Sequence, residues 1–146
     1  MMTPAKTAVL KFGGEVVADA VALAGVLRDV ASLHAGGWRL VLCHGGGPQA
    51  NARQERLGLV PRKVAGRRVT DAATLQVMKC VLAGELSVDV VAAGAAVGLR
   101  AVGVSGVSAG LVTARRRPPV VVPGAGPEPI DFGLVGDILE IRPELL

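Results

Sequence analysis

Aromatic side chains are nearly missing from this sequence: two phenylalanines, one tryptophan and no tyrosine in 146 residues. A core must then be built from Val, Leu, Ile and Ala, and base stacking on aromatic platforms has little to work with. Cysteine is scarce too. Cys43 and Cys80 fit no zinc or redox spacing. Each lies in an apolar run, so both are expected to be buried free thiols, in keeping with a reducing cytoplasm. No apolar stretch approaches the ~20 residues of a membrane span, and the amino terminus MMTPAKTAVLKF lacks a signal-peptide layout. Charged residues make up 19% against 51% hydrophobic, which argues against disorder. The formal net charge is +4, an invitation to anions. However, the densest basic run, Arg115-Arg116-Arg117, leads into Pro118-Pro119 and reads as a solvated turn. With no basic helix beside it, nucleic acid is not an expected partner.

Glycine is what the chain has in quantity, twenty residues, which implies many tight turns or close backbone approaches. The length suits a single domain over 1–146. TAVLKF at 7–12 reads as a buried strand ending at Gly13-Gly14. Residues 16–35 carry Val17, Ala20, Val21, Ala24, Leu27, Val30, Ala31 and Leu33 at helical spacing, stopped by Gly36-Gly37. WRLVLC at 38–43 is a second strand, followed by His44, Gly45-Gly46-Gly47 and a helix opened by Pro48. Strand, helix, strand, helix predicts a parallel sheet with helices packed on it. Residues 59–69 form an irregular hairpin around Gly66, and Thr70 or Asp71 caps the next helix. Helical stretches at 72–82 and 85–97 are expected to break at Gly84. A strand is expected at 100–104, and antiparallel strands within 111–141 around the loop 123–129.

The two glycine clusters end the first two strands. In an open parallel sheet that edge is where ligands bind, and bare glycine N–H groups at helix starts suit anions. Neither cluster is a Walker loop or GxGxxG, so plain turn geometry remains an equal reading. Lys11 ends the first strand. It either reaches solvent or neutralises a transferring phosphoryl group. His44 and His34 read as hydrogen-bonded structural residues.

Four segments occur together and in order: KFGG at 11–14, HGGGPQ at 44–49, GRRVTD at 66–71 and DFGLVGDI at 131–138. The set resembles the acetylglutamate kinases of the amino-acid kinase superfamily, over almost the whole chain. The resemblance implies an α/β fold: a three-layer α-β-α sandwich with a mainly parallel central sheet, of the carbamate-kinase-like kind, with a β-hairpin region near the C-terminus. It implies ATP-dependent phosphorylation of the side-chain carboxylate of N-acetyl-L-glutamate in arginine biosynthesis. ATP would be a co-substrate, with Mg2+ carried by the nucleotide and no metal ligand from the protein. Lys11 would stabilise charge on the γ-phosphoryl group. Gly13 and Gly14 would bind phosphoryl oxygens, and Gly45 and Gly46 the substrate carboxylate. Arg68 would grip the α-carboxylate, bidentately as lysine cannot. In a strand Arg67 faces the other way, and the motif favours Arg68. The attacking carboxylate, with an ordinary pKa of about 4.3, is already ionised at neutral pH and needs no general base.

Three departures from the family pattern stand out. Ser108-Ala109 replace an Asp-Gly pair, which bears on local loop geometry. Glu15 follows the first Gly-Gly and is expected to point away from the phosphate site. Relatives continue past the equivalent of Leu146 into a nucleotide-binding C-terminal lobe, so the chain is expected to be the N-acetylglutamate-binding N-terminal lobe, exposing apolar surface and self-associating. Leu75, Val77, Met78, Val81 and Leu82 would either form a homodimer through helix 72–82 or serve as core. A catalytically incomplete substrate-binding lobe, or a kinase for carrier-protein-linked aminoadipate, are the other readings of the resemblance.

Overall fold

The computed structural model describes residues 6–146. They fall into two compact units: residues through Ala50 with Val81–Val104, and Asn51–Cys80 with Ser105–Leu146.

In the first unit β1 (Thr7–Phe12) and β2 (Arg39–His44) pair in parallel, Thr7 opposite Arg39 through Phe12 opposite His44. The pleat sends alternate residues to opposite faces. Phe12 and Leu42 join Leu23, Leu27 and Val90 in a hydrophobic core. The other face of β1 is open: Thr7, Val9 and Lys11 are exposed, Val9 at 66%. The strand expected to be buried is therefore covered on one face. This also corrects the expectation for Cys43, which pairs with Lys11 on the open face and is exposed. Cys80 is exposed as well.

The helix expected over 16–35 is divided. α1 (Gly14–Ala18) is one short turn, and Asp19 then leaves helical geometry (φ −101°, ψ 105°) to cap α2 (Ala20–Ala35). Its carboxylate accepts from the N–H groups of Val21 (2.9 Å) and Ala22 (3.0 Å). A side-chain acceptor at this position satisfies donors the helix cannot. Leu23, Leu27 and Val30 are the buried stripe of α2. Gly37 ends the helix with φ +88°, as the Gly-Gly pair foretold.

The break expected at Gly84 is absent. α4 (Ala72–Met78) runs through a π-helical segment, Lys79–Leu86, into α5 (Ser87–Ala96). The buried residues explain this form. Val77, Val81, Leu86 and Val90 follow at steps of four, five and four, and the wider step falls inside the π segment, whose longer hydrogen-bond loop returns Leu86 to the buried side. The apolar residues of 72–82 are mostly spent inward, with Val77 and Val81 buried and Leu75, Met78 and Leu82 half-buried.

α3 (Gly47–Arg56) begins in the first unit and ends in the second. There β3 (Lys63–Val64) and β4 (Arg67–Arg68) form the expected small hairpin. Ala65 and Gly66 have φ +47° and +77°, the two positive values of a type I′ turn. Of the two candidate caps for α4, Asp71 is used, its carboxylate accepting from Thr74 N–H at 2.7 Å. β5 (Val112–Arg116) and β6 (Gly136–Ile141) pair antiparallel, with a bridge between Val120 and Ile130 nearer the loop. No strand forms at 100–104. That stretch gains no bridge partner among the described residues, and Val102 is 84% exposed. A strand exists only through its ladder, so apolar composition alone did not suffice. No helix among the described residues is long and apolar enough to cross a membrane.

Candidate functional site

The two glycine turns meet in the first unit. The parallel register puts Phe12 beside His44, so the chain leaves both strands at the same edge. Gly45 N–H donates to the Phe12 carbonyl at 2.9 Å. A Cβ on Gly45 would lie 3.0 Å from Gly14 N, and a Cβ on Gly14 would lie 3.1 Å from Gly46 N. These gaps are smaller than ordinary van der Waals contact, so the turns nest only because neither carries a side chain. On its far side Gly46 meets Leu82 and Leu86 of the π segment, leaving a Cβ no room. The result is a backbone cradle of clustered N–H groups, a form suited to anions.

Side chains hold this cradle. Gln49, in the first turn of α3, donates from Nε2 to the Gly14 carbonyl at 2.6 Å, while its Oε1 is buried without a hydrogen-bond partner among the described residues. His44 donates from Nδ1 to the Gly45 carbonyl at 3.1 Å, a local contact of the structural kind expected for it. Lys11 is exposed on the open face of β1 and has no acidic partner among the described residues. Glu15 departs from expectation. Rather than pointing away, its Oε2 lies 2.5 Å from where a Cβ on Gly13 would stand, folded back over the first turn. The helix following Gly13 is only five residues long, so less dipole is aimed here than a helix over 16–35 would supply. The ten-residue α3 follows the second turn.

Arg68 lies in the second unit, half-buried, with Arg67 exposed on the alternate face. Its guanidinium donates from Nη2 to Asn51 Oδ1 at 2.5 Å and from Nη1 to Gln54 Oε1. Gln54 is 1% exposed and donates in turn from Nε2 to Thr74 Oγ1 at 3.1 Å. Asn51, Gln54 and Thr74 were not singled out from the sequence. The available signal was two amides spaced i, i+3 on α3, which face the same way. Both partners of Arg68 are neutral, and no carboxylate pairs with it among the described residues.

The segment 131–138 meets the segment 66–71. Thr70 N–H donates to the Phe132 carbonyl (2.9 Å), and Leu134 N–H to the Thr70 carbonyl (2.7 Å). Gly133, at φ +76°, presses its α-carbon against Thr70 so closely that a Cβ would strike the Thr70 carbonyl. Arg116 ties the strap down through Asp131 (2.8 Å) and the Gly133 carbonyl (3.1 Å). An open cleft of about 330 Å³ lies elsewhere in this unit, among Arg53, Leu57, Leu59, Val77 and Cys80.

Paired glycine turns at parallel strand ends, with a lysine one residue before the end of the first strand, define an α/β class in which bare backbone lines the sheet edge. The sequence pattern of the amino acid kinase family matches residues 6–146, and the chain belongs to that family. Within it, the chain is 55% identical over 141 residues to an acetylglutamate kinase of Anaeromyxobacter dehalogenans (strain 2CP-C), covering 97% of this chain and 52% of the relative. It is 54% identical over 138 residues to the acetylglutamate kinase of Sorangium cellulosum (strain So ce56), covering 94% and 48%. The chain thus spans about half the length of the curated relatives it matches. Among solved structures it resembles N-acetylglutamate synthase from Neisseria gonorrhoeae in complex with coenzyme A and N-acetyl-glutamate. The TM-score is 0.69 at 26% identity, over 94% of this chain and 29% of that one.

Proposed function

We propose that the protein is an acetylglutamate kinase, moving the γ-phosphoryl group of ATP onto the side-chain carboxylate of N-acetyl-L-glutamate. The nested glycine turns beside Lys11 carry this reading, and the names of the relatives narrow the acceptor. A carboxylate oxygen attacks the γ-phosphorus, the bond to the β-phosphate bridging oxygen breaks, and ADP leaves. The nucleophile arrives ionised, so the protein's task is positioning and charge stabilisation. Gly13 and Gly14 face phosphoryl oxygens, and Gly45 and Gly46 line the attacking carboxylate, with Gly46 offering its N–H while Gly45 N–H stays on the Phe12 carbonyl. Lys11 neutralises the charge that grows on the transferring group. Arg68, a cation without an acidic partner among the described residues, holds the α-carboxylate. Mg2+ would come with the nucleotide and would supply charge shielding to its phosphates. Residues 1–146 supply the N-acetylglutamate-binding lobe. A homo-oligomer through helix 72–82 would use its outward residues Ala73, Gln76 and Cys80, and the exposed free thiols suit the reducing cytoplasm.

The test is to trap acyl phosphate with hydroxylamine in the presence of Mg-ATP and N-acetyl-L-glutamate. The expected product is the hydroxamate, with turnover reduced about 10²–10³-fold in Lys11→Ala. Arg68→Ala should chiefly raise KM. Hydroxamate formation unchanged in Lys11→Ala would remove Lys11 from the chemistry.

A further inference from the structure

A half-buried arginine is usually neutralised by a carboxylate; here two amide oxygens hold it instead. Asn51 Oδ1 and Gln54 Oε1 each take one N–H of Arg68, leaving three of the five guanidinium donors. Gln54 is itself fixed, buried at 1% exposure with its amide nitrogen bonded to Thr74 Oγ1. Thr74 is 6% exposed, and its backbone N–H is bound by the Asp71 cap. A buried glutamine with both ends satisfied has one available orientation, so its oxygen meets Arg68 in a defined direction. The amides fix the plane of the guanidinium without cancelling its charge. An aspartate or glutamate in their place would orient the arginine equally well but would compete with an incoming anion.

We propose that Asn51 and Gln54 are positioning residues forming a neutral cradle that presents Arg68, pre-oriented and uncompensated, to a ligand carboxylate. The cradle thereby selects acids bearing a carboxylate on the carbon next to the acylated nitrogen. The proposal rests on the reading of Arg68 as the group that holds that carboxylate. Pre-orientation matters because an arginine that must be frozen on binding loses affinity to entropy.

Two measurements on the 146-residue chain test it. The first needs no ligand: nitrogen–proton correlation spectra of the Arg68 guanidinium, assigned through Arg68→Lys. A held guanidinium gives separate Nη signals because rotation about its Nε–Cζ bond is slowed. These signals are expected in the parent chain and should collapse in Asn51→Ala and Gln54→Leu. The second is calorimetric titration with N-acetyl-L-glutamate and with 4-acetamidobutyrate, the same molecule lacking the α-carboxylate. Each variant should bind N-acetyl-L-glutamate about tenfold more weakly, the scale of a lost hydrogen bond to a charged group, with affinity for 4-acetamidobutyrate unchanged. Averaged Nη signals in the parent chain, or equal losses for both ligands, would overturn the proposal. Gln54→Glu guards against misfolding of Gln54→Leu. It should keep the Nη signals separate and still weaken N-acetyl-L-glutamate, and full retained affinity would count against the neutral cradle. If the parent chain ignores N-acetyl-L-glutamate while the Nη signals respond as expected, the positioning role stands and the choice of substrate falls.

Discussion

At Asp71 the carboxylate accepts from the backbone N–H and side-chain hydroxyl of Thr74, and these bonds hold its pKa below the ordinary aspartate value. A depressed folded value means that the cap's contribution is complete above the unfolded pKa, about 3.9. It is then lost as pH falls through the lower folded value. Thermal melts from pH 6 down to about 2 should therefore show an acid-side loss of stability that is smaller in Asp71→Asn. An identical acid limb in that variant would exclude Asp71 as a source. At this scale the sequence was readable where chemistry is written into motifs. Lys11, the four glycines and Arg68 were named from it as candidates, and of the two arginines Arg68 is half-buried and Arg67 exposed. Asn51 and Gln54 were not legible, because their importance lies in what they touch across a turn of chain. Glu15 was misjudged because a long exposed side chain chooses its direction by neighbours, here the bare surface of Gly13.

Among the elements, the loop before β5 carries the clearest local conflict. Ala109 sits at φ +49°, ψ +26°, inside the one-turn helix Ser108–Gly110. A side chain there costs about 1–2 kcal/mol over glycine's unhindered conformation, partly offset by glycine's greater chain entropy. Ala109→Gly should raise stability by roughly 0.5–1 kcal/mol, a rise of about 2–4 °C in Tm. A lower melting temperature would show that the loop relaxes around alanine. Ala109 thus carries a side chain at a left-handed position in the loop where the sequence departs from the family pattern. The parallel pairing of the first two strands, the hairpins and a cap at Thr70 or Asp71 were legible because turn residues mark them. The division at Asp19 and the π segment at 79–86 were not. Both arise where tertiary packing overrides helical periodicity, the second to keep Leu86 buried four residues before Val90.

For the whole molecule, the two units were not legible because each is assembled from separated stretches of chain. Large apolar side chains stand exposed in both: Val9 (66%) and Val102 (84%) in the first, Val107 (85%), Ile138 (62%) and Ile141 (59%) in the second. Exposed apolar surface of this kind favours association. Sedimentation should show mass rising over micromolar concentrations, and a concentration-independent monomer would count against it. The bond between Thr70 and the 132–134 strap also has a consequence in time. It joins residues far apart in sequence, and such contacts form only after a long loop closes. During synthesis at ~5–20 residues per second, the β3–β4 hairpin waits roughly 3–12 seconds for its strap to be made. Through that interval the carbonyl and N–H of Thr70 have only water to bond, and the second unit is the part of a nascent chain that a chaperone would find open.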